Sequence, residues 1–347
     1  MDRWMRCAVR ALRALTLLPS VAFGAGCYTD PGYKGRPSEV WIAQLAEPGL
    51  DRRIDAAAAL GEVLRLQPNA PKVVDALVAA LADTSDPMRV AAASAIRHAG
   101  RGGRRVREQL ERDAVPAVAE LLADSAHPAV RTQAVAVLRD FGPDAAPASA
   151  PALAGALADS DPFVRRPAAE ALGALGEAAR PVVPRLASAA TRDDDFRVRR
   201  AAARALALVG GPPPTVGPAL AVALRDTVEL VREAAAEGMG ERGADGLPEW
   251  TAPNAGDPLG ALRRTATADA NARVRVAAVT ALGLVGDRAS RPVLREALAD
   301  PDAAVRREAE HALSALHRRG GEDPEQHALP EPTQGEVCRL NPRATGC

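Results

Sequence analysis

One arginine that returns at regular intervals constrains this chain more than any other feature. It stands out in DSDPFVRRPAAEALGALG, residues 159–176. There an Asp is followed six residues later by Arg, then by Ala at three, Ala-Leu at six and seven, and Leu-Gly at ten and eleven. The Arg recurs as Arg53, Arg89, Arg131, Arg165, Arg199, Arg232, Arg275 and Arg306, in steps of 31 to 43 residues. The acid six residues earlier recurs as Asp83, Asp159, Asp193, Asp226, Asp269 and Asp300; Glu47 takes its place in the first unit, and Asp124 falls one residue early in the third. A period of about 36 residues is that of stacked supersecondary units, none of which can bury its apolar face alone.

Within a unit the apolar residues lie three and four apart, as in Val164, Ala168, Ala171, Leu172 and Leu175, which places them on one helical face. Gly100, Gly142, Gly176, Gly210, Gly243 and Gly286 follow these helices, where a left-handed cap costs glycine little. A second apolar stretch precedes each Asp. Pro116, Pro151, Pro184, Pro218 and Pro292 stand ahead of these stretches and are expected to open them, because a first-turn N–H has no helical partner. Only nine of 347 residues are aromatic, and the apolar content is Ala, Leu and Val, a composition for closely packed helices. The fold expected is all-α: an α-solenoid of about eight helix pairs.

These repeats resemble the HEAT-repeat family, in the bacterial form related to phycobilisome bilin lyases, from about Ser38 to Leu316. The resemblance implies that the turn Asp and the Arg of the second helix bridge neighbouring repeats, and that second helices line a concave face. On that face, steps not needed for packing fall at Ser94, Arg97, Glu170, Arg204, Glu237, Thr280 and His311, the candidate partner-binding residues. Their mixed charge favours polar, selective contacts. The Arg series also reads as an anion rail, but each Arg has an acid in register, so a structural role is expected.

The termini read differently. Arg3, Arg6, Arg10 and Arg13 precede an uncharged run, residues 14–26, which is the pattern of a signal peptide and too short to span a bilayer. Gly24-Ala25-Gly26-Cys27 resembles a bacterial lipobox, with Gly24 where Leu is usual; it implies cleavage after residue 26 and lipidation of Cys27. Cleavage after Gly24, releasing a soluble chain, is the alternative. Either way the protein is expected to be exported to the periplasm or cell envelope. Residues 27–37, rich in Pro and Gly, are expected to form a tether, and residues 318–347 a disordered tail. With Cys7 removed and Cys27 modified, Cys338 and Cys347 remain, either as a disulfide closing a short loop or as two free thiols.

Two insertions lengthen the repeat. Residues 97–112 hold six Arg (97, 101, 104, 105, 107 and 112) and read as an anionic-surface contact or as a solvated loop running into an amphipathic helix. Residues 241–260 carry Trp250, either an exposed contact residue or a cover for the loop's own underside.

No catalytic motif is present. The histidines, His98, His127, His311, His317 and His327, are scattered. The His-Glu pairs that HEAT-repeat di-iron hydroxylases use as ligands are missing, the nearest thing being Glu310-His311. With 44 basic and 44 acidic residues, no net field favours nucleic acid. The sequence therefore suggests an exported, lipid-anchored scaffold for a protein or peptide, with no cofactor, no nucleic acid and no catalysis of its own. The alternative, an enzyme or subunit of the HEAT-like lyase group, rests on fold likeness alone.

Overall fold

The computed structural model describes residues 32–66, 70–252 and 255–320. Cys27, Cys338 and Cys347, the signal segment and the tail from residue 321 lie outside the described residues. Helices follow one another in pairs, each pair being one repeat. The pairs are Ser38–Gln44 (α1) with Leu50–Leu66 (α2), and Pro71–Ala80 (α3) with Asp86–Ala99 (α4). After an inserted helix, Arg104–Asp113 (α5), come Val115–Asp124 (α6) with Pro128–Phe141 (α7), and Ala146–Ala156 (α8) with Pro162–Leu175 (α9). Next are Val183–Arg192 (α10) with Phe196–Val209 (α11), and Pro213–Ala223 (α12) with Glu229–Arg242 (α13). A short Leu247–Trp250 (α14) precedes Pro258–Ala268 (α15) with Ala272–Val285 (α16), and Arg291–Ala297 (α17) with Ala303–Gly320 (α18) closes the series. Each helix packs on helices of its own and adjoining repeats, so the core is one continuous strip made mainly of Ala, Leu and Val.

Several expectations are corrected in detail. The helices before Gly142, Gly176, Gly210, Gly243 and Gly286 do end on positive φ, but only Gly286 is left-handed α; the other four pair φ of 55 to 68° with strongly negative ψ, a region essentially restricted to glycine. Gly100 has φ −61° and no special conformation, because the chain turns there into the inserted α5. Pro116, Pro184 and Pro292 do lie in first turns. Pro151 and Pro218 do not: α8 and α12 start earlier, with other prolines in their first turns, so these two sit inside their helices and each removes one backbone bond.

Residues 32–37 are not a free tether. Gly32–Tyr33 (β1) pairs antiparallel with Arg36–Pro37 (β2) around Lys34 and Gly35, both at positive φ, and the Trp41 indole N–H donates to the Tyr33 carbonyl at 3.3 Å. At the other end α18 runs to Gly320, past Leu316. No helix among the described residues is long and apolar enough to cross a membrane.

The repeated Arg and Asp knit the stack. The turn carboxylate accepts the backbone N–H two residues on, as Asp159 does from Asp161 at 2.8 Å, which shapes the turn. Where the next polar residue is Asp161, Asp195, Asn271 or Asp302, its side chain then caps the second helix. The Arg reaches forward to the Asp of the following repeat. Arg131 meets Asp159 at 2.6 and 2.7 Å, Arg165 meets Asp193 at 2.9 Å twice, and Arg275 meets Asp300 at 2.8 Å twice. Arg199 with Asp226, Arg232 with Asp269, and Arg53 with Asp83 repeat the pattern. In Arg131, Arg165, Arg199, Arg232 and Arg275 the remaining guanidinium nitrogen donates to the main chain of the Arg's own turn, as Arg165 does to the Asp159 carbonyl at 2.9 Å. Each of these five thus closes its own turn and holds the next. Arg89 instead pairs with Asp86 of its own helix, and Arg306, in the last unit, donates to the Asp300 and Pro301 carbonyls of its own turn.

Candidate functional site

The second helices stack side by side, and shallow clefts open between them. One, of about 590 Å³, is walled by α9, α11 and α13 and contains Glu170, Arg204 and Glu237. A neighbouring cleft of about 620 Å³, between α11, α13 and α16, shares Arg204 and Glu237 and adds Thr280. A third, of about 830 Å³ at the first two repeats, contains Ser94 together with Tyr33, Trp41 and His98. Five of the seven residues expected to face a partner thus line clefts. They share one register because each stands five residues after its repeat Arg.

The other two do not join them. Arg97 is half-buried and turned to Asp140, at 3.9 Å, while His311 is exposed and sits 3.6 Å from Glu308 on its own helix. Within the clefts two hydroxyls are already engaged: Gln133 donates to Ser94 Oγ at 2.9 Å, and Thr280 donates back to the Val276 carbonyl at 3.0 Å.

Charge divides the two shared clefts. The 590 Å³ cleft sets Arg166, Arg197, Arg200 and Arg204 against Glu170 and Glu237. The 620 Å³ cleft sets Glu233, Glu237, Glu241 and Asp302 against Arg204 and Arg273. The division follows from two adjacent helices: α11 presents Arg197, Arg200 and Arg204, whereas α13 carries Glu229, Glu233, Glu237 and Glu241 four residues apart on one face. Arg204 is the hinge between them. Its guanidinium donates to Glu241, and that bond, with the fields of Glu237 and Glu170, raises its already high pKa further.

Apolar residues complete the face. Phe163 is 60% exposed and Phe196 36%, and the Arg197 guanidinium lies between their rings, 5.4 and 6.0 Å from the two centroids. Arg197 also grips Asp195, whose carboxyl is pulled down to about 2, chiefly by the Arg197 side-chain bond. The sequence signals for these residues are two Phe at the starts of adjacent second helices in a chain with only four, and the four-residue Glu spacing.

Both insertions belong to the scaffold. In α5, Val106 and Leu110 are buried, and Arg107 donates to the Asp140 and Phe141 carbonyls while lying over the Phe141 ring. Arg101 meets Asp140 at 3.4 Å and Arg104 meets Glu108 at 3.5 Å. The amphipathic-helix reading of residues 97–112 is the one this geometry supports. Trp250 is 2% exposed and lies against Gly246, where a Cβ would run into the ring; it covers the underside of its own loop. The histidines stay apart, His98 on Glu62 at 3.0 Å and His127 on Asp86 at 2.7 Å, and no group of metal-ligating side chains converges among the described residues.

A model of HEAT repeats matches residues 95–173, 115–207, 169–240 and 257–329. The chain belongs to the HEAT-repeat family. No curated protein matches this HEAT-repeat chain. Among solved structures it is similar to importin beta, with 17% identity and TM-score 0.58 over 80% of this chain and 41% of that one. It is also similar to the E. coli protein YibA, with 19% identity and TM-score 0.51 over 81% and 92%, and to an engineered protein, with 20% identity and TM-score 0.50 over 82% of each. These likenesses show the HEAT-repeat fold, one typical of protein-interaction scaffolds.

Proposed function

We propose that this HEAT-repeat protein is an exported scaffold, held to a membrane by a lipid on Cys27, that binds a protein or peptide on the face formed by its second helices and has no catalysis of its own. Its repeats would be of the bacterial type related to the phycobilisome bilin lyases. The observation that carries the reading is the pair of adjoining clefts that share Arg204 and Glu237, in a stack whose repeat Arg and Asp side chains are used in holding it together. What remains exposed on this face is mixed in charge and flanked by Phe163 and Phe196, a composition suited to recognition. The arginine-rich N-terminal segment and the Gly24-Ala25-Gly26-Cys27 sequence support export and anchoring.

Two measurements test this. The intact mass of the mature protein is expected to show loss of residues 1–26, a diacyl or triacyl increment on Cys27 and a two-proton deficit for Cys338 with Cys347; an unmodified chain starting at Met1 contradicts export. Affinity capture from membranes with the wild type and with Arg204→Glu combined with Glu237→Lys is expected to differ. Identical captured partners remove this face from consideration.

A further inference from the structure

The two clefts that share Arg204 and Glu237 differ in sign, and most of their charges are already committed. Arg197 is bound to Asp195 at 2.7 Å, Arg204 to Glu241, and Arg273 to Glu233 at 3.2 Å. Two exposed groups lie outside any ion pair among the described residues: Arg200 on the basic side and Glu237 on the acidic side. They stand on α11 and α13, neighbouring helices whose axes lie roughly 8–10 Å apart at ordinary packing distance. Between them the floor is apolar, made by Ala201, Leu230 and Ala234.

We propose that this face binds an extended segment of another protein in which an acidic and a basic side chain flank an apolar one, the three standing at alternate residues and so on one face of the segment. The assignment rests on the scaffold reading above and names the chemistry of its partner. Alternate side chains of an extended chain point to the same side, so residues i, i+2 and i+4 of such a segment meet the cleft together. The segment's carboxylate pairs with Arg200, its cation with Glu237, and the apolar side chain midway between them lies on the Ala201, Leu230 and Ala234 floor. Charge complementarity fixes the occupant, since a purely acidic or purely basic segment satisfies one cleft and sets like charge against the other.

The test is fluorescence anisotropy of the full chain with four labelled peptides. Gly-Ser-Glu-Val-Leu-Val-Lys-Gly-Ser carries both charges on one face; in the others the Glu and Lys positions are both Glu, both Lys or both Gln. The mixed peptide is expected to bind at least tenfold tighter than any of the three. Arg200→Gln is expected to reduce its affinity to that of the double-Lys peptide, and Glu237→Gln to that of the double-Glu peptide. Both side chains are exposed, so unchanged melting temperatures confirm that the variants are folded. Equal binding of the four peptides, or affinity indifferent to both substitutions, overturns the proposal while leaving the broader scaffold reading to the capture experiment. Binding seen only with a chain cut after Gly320 assigns the clefts to the protein's own C-terminal segment and likewise overturns it.

Discussion

Arg165 joins two repeats with one guanidinium, since Asp193 in the next repeat takes its Nε and Nη2 while Nη1 closes its own turn on the Asp159 carbonyl. Arg165→Ala leaves the Asp193 carboxylate, only 6% exposed, without its cation. The loss expected is about 3 kcal/mol, the scale of breaking a largely buried pair, read by urea denaturation. Unchanged stability would contradict the staple. The same pairs set a pH dependence. The Arg275 bond, ahead of an opposing burial effect, lowers the Asp300 carboxyl. Burial alone would raise Asp159, Asp226 and Asp269, but their Arg and backbone N–H partners outweigh it, and all three end up lowered. A carboxylate more acidic when folded adds stability above its unfolded pKa, near 4, and loses it as pH falls through the folded value. The melting temperature is therefore expected to hold from pH 8 to about 5 and to fall steadily below about 4. A melting temperature that rises on acidification would contradict this.

At the scale of the helices, adjacent second helices approach closely because small residues face each other. A Cβ on Gly283 would come within 2.7 Å of Ala312, and one on Gly173 within 2.9 Å of Ala205. Gly155, exposed on α8, has nothing within 4 Å. The same change should therefore have opposite signs: Gly283→Ala is expected to destabilise by roughly 1–3 kcal/mol through overpacking, and Gly155→Ala to stabilise by about 0.5–1 kcal/mol through helix propensity. Equal effects in thermal denaturation would show that the approach is not tight. The glycines at positions 173 and 283 mark the limit of what the sequence reveals. The paired helices, their turns and the Arg-to-Asp bridges were legible because each is a matter of local spacing or of a resemblance carried by spacing. The glycine-on-alanine contact was not, since it joins residues about 30 apart whose smallness says nothing until the helices are side by side. The register of Glu170, Arg204, Glu237 and Thr280 was legible for the same reason as the ladder. Phe163 and Phe196 are exposed whereas Phe141 is buried, and nothing in a helical pattern separates an exposed Phe from a core one.

Over the whole molecule, packing is between neighbours, so stability should be shared locally rather than across one core. The hairpin of β1 and β2 closes one end of the stack, and α18 forms the last second helix. Hydrogen exchange followed by mass spectrometry on the full chain tests this account most directly, comparing the wild type with Arg199→Ala, which breaks the staple to Asp226 in the middle of the array. Protection is expected to fall in α10 to α13 and to stay near wild type in α3, α4 and α18. An equal loss of protection in every helix would contradict a stack held together repeat by repeat.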